Sequence, residues 1–324
     1  MTPGPPRADR PVAVTKGRGE SEKMTYGVPV QEGPQDLPTP MVSGTRKGTG
    51  TRELLVNLTM REVRSQFKRT TLGRLWSFIN PLATIAIYSV VFGYILQSPI
   101  EPGLNSGIHL FALFLASALI PWTFLSGAIL SGMGSIVNNA GLLSKVYFPR
   151  FILPVSTILA MTVTFGIEMS LLTVIMAIVG GPKVLLFIPG IVAMMALTVI
   201  FCIGIALMLS VAMVYFRDTQ HFMAIFIQLW FYATPIIYSE VLILRMQEKV
   251  REAGWTLFGE PFPLFFLYNL NPAARITGSF RAMLYDYAWP SWQDWLVVTA
   301  WAGIVLALGI WVFNKFSARV VEEL

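Results

Sequence analysis

Few residues of this 324-residue chain could take part in chemistry, and they do not cluster. The only histidines, His109 and His221, stand at the edges of apolar runs, and Cys202, the only cysteine, lies inside one. A single cysteine excludes an intrachain disulfide and reads as a small core residue. No Cys/His group has the spacing of a metal site. A G-x-x-x-x-G-K-[ST] phosphate loop is absent; KGTGTRE at 47–53 has glycines but no Lys-Ser/Thr after them. No Asp-x-Asp or other carboxylate constellation points to hydrolysis or glycosyl transfer. The expectation is therefore no catalytic residue, no metal and no cofactor held by this chain.

Glu168, in TVTFGIEMSLL, is the one clear ionisable residue inside an apolar run. It can be a polar contact in a substrate cavity or helix interface. It can equally be a carboxyl kept neutral, or bonded to a Thr or Ser of a neighbouring helix. The plainer second reading is preferred, because ion-coupled carriers place several such groups near the membrane midplane. Aromatic residues offer a different chemistry, since the C–H faces of sugars stack on rings while Tyr and Trp add a polar edge. Tyr88, Phe92 and Tyr94 fall in one apolar run, Trp122 and Phe124 in the next, and Phe226, Trp230, Phe231, Tyr232 and Tyr238 in a later one. For any single ring the ordinary explanation prevails, because Trp and Tyr mark membrane interfaces and Phe fills bundles.

The elements that carry these residues are membrane spans. Hydrophobic residues make up 54% of the chain and charged ones 13%, against roughly 25% charged in a soluble domain. Mean hydropathy is +0.61. Several charge-free runs reach about 20 residues, the length that crosses a hydrocarbon core of ~30 Å. The net charge of +6 is not read as a nucleic-acid surface. More than half of the 24 Lys and Arg precede the first span, which points to anionic lipid headgroups and a cytoplasmic start.

Residues 1–50, rich in Pro, Gly and charge and without apolar periodicity, are expected to be a disordered cytoplasmic tail. They lack the apolar stretch of a secretory signal peptide. At 51–74 an amphipathic helix is expected to lie on the membrane surface: Val56, Met60, Val63 and Phe67 form one stripe, with Asn57, Arg61, Arg64 and Lys68 opposite and Arg69 and Arg74 following. Six spans are expected at about 76–96, 110–136, 151–179, 185–214, 222–238 and 295–313, with both termini inside by the positive-inside rule. Pro121 should kink the second. Between the fifth and sixth, two short apolar stretches broken at Asn271-Pro272 read as a pair of re-entrant helices dipping into the outer leaflet.

Four motifs in series resemble the membrane subunits of ABC-2 type exporters, in particular the polysaccharide and O-antigen export permeases. They are Arg61, Phe67, Lys68 and Arg69 followed by LGRLW and NPL; NNAGLLSKVYFPRFILPV at 138–155; Phe216-Arg217-Asp218; and ATPIIY at 233–238 with Asn271-Pro272 downstream. The resemblance covers about 51–324 and leaves the N-terminal tail unexplained. It implies an all-α fold of six transmembrane helices with an N-terminal interface helix, a cytoplasmic coupling helix and external re-entrant helices. It also implies two copies of the chain and two copies of a separate ATPase that binds ATP and Mg.

By that resemblance the coupling helix spans about Asn138 to Tyr147, with Leu142, Leu143, Val146, Tyr147 and Phe148 available to the ATPase and Lys145 and Arg150 at the rim. Phe216, Arg217 and Asp218 would form a cytoplasmic loop. Tyr88, Phe92, Phe226, Trp230, Phe231, Tyr232 and Tyr238 would line the path. The expected activity is ATP-driven export of a lipid-linked glycan of O-antigen, teichoic acid or galactan type across a bacterial plasma membrane. Export of a drug or free lipid by the same fold is the alternative, and a membrane-embedded glycosyltransferase or scaffold is disfavoured by the missing carboxylates.

Overall fold

Charge-free runs of this length have one stable solution in lipid, which is to satisfy every backbone group within a helix. The computed structural model describes residues 47–65, 76–97, 100–143, 148–254, 256–257, 260–261 and 264–317, all within one compact unit, Thr45–Leu324. Residues 1–46 of the expected tail, and Phe67, Lys68, Arg69, Lys145, Val146 and Tyr147, lie outside the described residues, whereas 47–50, expected in the tail, already belong to a helix.

Helix α1 covers Lys47–Ser65, and α2 covers Trp76–Tyr88 before continuing as a π-helix over Ser89–Ile95. Helix α3 is Phe111–Gly134, α4 is the single turn Ala140–Leu143, α5 is Ile152–Gly180 and α6 is Ile188–Tyr215. Then come α7 (Thr219–Tyr232), α8 (Glu240–Glu252), α9 (Leu264–Leu270), α10 (Pro272–Arg281) and α11 (Trp292–Phe316). Apart from one antiparallel pair of two-residue strands, Thr256–Leu257 and Glu260–Pro261, the regular structure of the described residues is helical.

Among the described residues, α3, α5, α6 with its leading turn from Pro182, and α11 are long and apolar enough to cross a membrane. Of the two other expected spans, the first is a shorter apolar helix over Leu82–Ile95, and the fifth falls on α7, a helix of 14 residues. Helix α3 sits at the centre, with Leu115, Ala118, Leu125, Ala128 and Ile129 fully buried, and it continues through Pro121. Helix α5 instead exposes Val163, Ile167, Leu171, Val174 and Ile178. Their spacing of four, four, three and four draws one stripe along the helix, as a lipid-facing surface requires.

Lipid is as apolar as leucine, so helices in a membrane associate through close packing and not through water exclusion. The most extensive pairing here is α6 with α11. A Cβ placed on Gly309 would stand 2.3 Å from the Gly204 carbonyl oxygen, and one on Gly204 would stand 2.6 Å from Val305 backbone. Two glycines facing each other thus let the backbones touch. Helix α10 packs on α3 and α11 and buries Ala273, Ala274, Ile276 and Phe280. The expected break at Asn271-Pro272 is a capped helix start: Asn271 accepts from Ala273 N–H and Pro272 occupies the first turn, where its missing N–H costs nothing.

Candidate functional site

Two regions gather the residues singled out in the sequence. The first lies at the α1 end of the molecule. Leu58 of α1 packs with Phe148, Ile152 and Leu153, and Leu54, Leu55, Leu142 and Leu143 close the cluster. The helix is amphipathic, but the face it commits to the protein is Leu54, Leu55 and Leu58. The stripe read from spacing points elsewhere, with Val56 and Met60 about half exposed. Both faces are apolar because leucines fill the gaps of the valine and methionine pattern. A periodicity count alone cannot choose between them.

Phe148, expected on a docking surface, is buried under α1 and anchors the segment internally, while Leu142 and Leu143 are half-buried. Arg61 Nη2 donates to Asn139 Oδ1 at 2.7 Å, whereas Arg64 is exposed. Arg150 is half-buried and donates through Nη1 to the Ser317 carbonyl, so it ties the start of α5 to the end of α11. Tyr215 Oη donates to the Phe316 carbonyl at 3.1 Å beside the Phe216-Arg217-Asp218 loop. Phe216 ends α6 with its ring exposed, and Asp218 precedes α7 without capping it through its side chain.

The second region surrounds the aromatic set. Tyr88 contacts Phe92 and Phe231, with ring centroids 5.9 and 6.5 Å apart, so the π-helical end of α2 meets α7 through rings. Trp230 packs edge-on to Trp122 at 5.7 Å and against Phe226 at 5.6 Å. Phe92, Phe231, Tyr232 and Tyr238 share the wall of one cavity of ≈ 460 Å³ with Glu101 and Arg245 at its edge. Tyr238 Oη donates to the Tyr232 carbonyl at 2.8 Å. Phe226 and Trp230 stand away from that cavity on the same helix.

Such a wall of flat rings with a few polar edges can hold a sugar chain by stacking without fixing its register. Glu168, on α5, lines a separate apolar groove of ≈ 180 Å³ with Leu82, Ile85, Ala116, Leu171 and Ile175. Among the described residues no group of His, Cys, Asp and Glu could hold a metal ion. Cys202 is buried in the core, and His109 meets the Ile100 carbonyl at 3.1 Å.

One residue escaped the reading of the sequence. Arg281, which there appears only as one charge in a balanced loop, is almost fully buried. Its Nη1 and Nη2 donate to the Pro235 and Ile236 carbonyls, each at 2.8 Å, and its guanidinium lies 3.9 Å from the Phe114 ring centroid. Burial lowers its pKa to about 10, which leaves it charged near neutrality. Its helical spacing from Ala274 and Thr277, both core residues of α10, was the available signal.

Comparison with known proteins bears on these two regions together. The family described as ABC-2 type transporter matches residues 53–243, which run from the first turns of α1 to the start of α8. This chain belongs to that family. Among curated relatives, the O-antigen export system permease protein RfbA of Klebsiella pneumoniae is 26% identical over 273 residues, covering 84% of this chain and 95% of the relative. RfbA of Myxococcus xanthus is 26% identical over 274 residues, with 84% and 96% covered. The polysialic acid transport protein KpsM of Escherichia coli is 33% identical over 103 residues, 32% of this chain and 36% of its own. Membership makes the chain a membrane-embedded transport protein, consistent with the four long apolar helices among its described residues.

Proposed function

We propose that this chain is the permease subunit of an ATP-driven exporter that carries a lipid-linked polysaccharide from the cytoplasm to the outer side of a bacterial plasma membrane. The observation that carries the proposal is the near end-to-end alignment with two permeases named for O-antigen export. The ring-lined cavity between α2 and α7 supplies the matching chemistry.

In this reading six spans form each half of the exporter, the helices between α7 and α11 are re-entrant, and both termini are cytoplasmic. Two copies enclose the path, and two copies of an ATPase subunit holding ATP and Mg dock beneath them. Leu142 and Leu143, with Lys145, Val146 and Tyr147 of the adjoining segment, meet the ATPase. Phe148 and Arg150 brace that segment from inside, and Arg61, Arg64, Phe67, Lys68 and Arg69 engage anionic lipid or the ATPase. Nucleotide binding closes the ATPases, shifts the docking segments and parts the two copies along α2 and α7.

The decisive experiment depletes the chain in its own cell and follows the lipid-linked glycan. Accumulation inside with loss from the surface is expected, together with co-purification of an ATPase that carries a phosphate loop. Transport by this chain alone in proteoliposomes would overturn the proposal. The groove at Glu168 favours a second reading, in which the same fold moves a free lipid or a drug, because an apolar slot with one carboxyl fits an aliphatic tail bearing a polar head. Unchanged glycan distribution with altered lipid content would select it.

A further inference from the structure

The segment between α2 and α3 is stitched to the π-helical turn Ala282–Asp286 that follows α10 and to Tyr287 after it. Asn105 N–H donates to the Asp286 carbonyl at 2.9 Å, and the Asn105 side chain donates to the Tyr287 carbonyl at 3.0 Å. Tyr285 Oη returns a bond to the Glu101 carbonyl at 3.1 Å. The approach is so close that a Cβ on Gly103 would stand 2.3 Å from the Tyr285 carbonyl oxygen. Tyr287 holds a left-handed backbone, φ 52°, which a non-glycine residue keeps only when its surroundings impose it. Here its Oη is fixed on the Met176 carbonyl at 2.7 Å.

From the same segment Arg281 reaches the other way. Its two Nη groups grip the Pro235 and Ile236 carbonyls in the turn that ends the α7 region, and its guanidinium rests on Phe114 of α3. The loop at 101–105, which runs from α2 to α3, and the turn at Pro235-Ile236 after α7 therefore share one attachment. The loop arrives through a backbone clasp and the turn through a forked arginine.

We infer that residues 281–287 form a rigid bracket, with Arg281 as its positioning residue, that fixes the outer ends of the α2 and α7 regions to each other within one copy. The path consequently opens between copies of the chain and not by splaying α2 from α7. This rests on the export reading. Burial of Tyr285 and Arg281, and the donors that converge on the 285–287 carbonyls, make the bracket costly to dissolve at each cycle.

The test uses the full permease in membranes with its ATPase. Leu104→Cys with Asp286→Cys spans the clasp, because Leu104 N lies 3.3 Å from Asp286 Oδ1 and Leu104 is exposed. The only native cysteine is buried, so oxidation reports on the introduced pair. The bracket predicts the same cross-link yield with and without trapped nucleotide, and undiminished surface glycan after oxidation. A yield that collapses on nucleotide trapping, or export that stops on oxidation and returns with reductant, overturns it. Arg281→Met should keep ATP hydrolysis while export per ATP falls about tenfold, roughly 1.4 kcal/mol of barrier. Arg281→Lys should recover only part, because an ammonium cannot reproduce the planar fork.

Wild-type export by Arg281→Met overturns the positioning role. If that variant does not accumulate, the cross-link measurements on the intact arginine decide. If the wild-type complex exports no glycan, the export reading fails while the yield comparison still tests the bracket.

Discussion

Arg61 on α1 and Asn139, in the turn before Ala140–Leu143, are joined by a 2.7 Å hydrogen bond across 78 residues of sequence. Asn139 is held in turn by its Nδ2 on the Ser135 carbonyl at 2.9 Å, so the bond links α1 to the end of α3. The contact therefore ties the turn before Ala140–Leu143 to α1 and α3 at one point.

Arg61→Ala and Asn139→Ala should each leave folding nearly unchanged, because an exposed charged contact contributes below about 1 kcal/mol. Each should lower transport-coupled ATP hydrolysis, and the double variant should fall no further than either single one. Additive losses in that double-mutant comparison would remove the contact from the coupling route.

The α6–α11 crossing gives a sharper contrast. Gly309→Leu forces a side chain onto the Gly204 carbonyl and should lower the midpoint of thermal aggregation in detergent by several degrees, roughly 1–3 kcal/mol of overpacking. Gly303→Ala, six residues earlier on the same helix with nothing within 4 Å, should be neutral or slightly stabilising. Equal behaviour of the two variants would mean that α6 and α11 do not cross at Gly204.

Asn271 is a polar junction: besides capping α10 it accepts from Trp230 Nε1 at 2.8 Å and donates to the Ala233 carbonyl and Thr234 Oγ1, both at 3.2 Å. Replacement by Ala removes the cap and strands the Trp230 donor, a cost of about 1–3 kcal/mol. Asn271→Ala should therefore shorten the lifetime of the folded permease, as read by protease resistance in membranes. Asn271→Asp should restore the cap and the Trp230 bond but not the two donations.

In the aromatic cavity, Tyr232→Ala should reduce export severalfold, since stacking is worth about 0.5–1.5 kcal/mol per ring pair. Tyr232→Trp should preserve it. Tyr238→Phe removes only the bond to the Tyr232 carbonyl and should have a smaller effect than Tyr238→Ala. Surface glycan measured at equal protein level distinguishes these outcomes, and full activity of Tyr232→Ala would exclude that wall from the path.

Much of the architecture is legible because membrane helices are written in contiguous composition. Runs such as 152–180 and 188–215 must be helical in lipid whatever surrounds them, and their ends follow Gly181-Pro182 and the charged loop at Phe216-Arg217-Asp218. The Asn271-Pro272 break is equally local, since a cap and a proline act on their own turn.

Other features depend on what lies far off in sequence. Leu54, Leu55 and Leu58 and the stripe at Val56 and Met60 are equally apolar, and only the arrival of Phe148 and Ile152 decides which face is covered. Arg281 carries the same charge as its loop neighbours, yet the carbonyls of Pro235 and Ile236 and the ring of Phe114 turn it into a buried pin. Sequence by itself determined the four long apolar helices among the described residues, because transfer free energies sum along a contiguous run, and the family, because its motifs stand in series. Tertiary structure decided which apolar faces pair and which charges are buried, because a desolvated group is stable only when partners from elsewhere in the chain meet it.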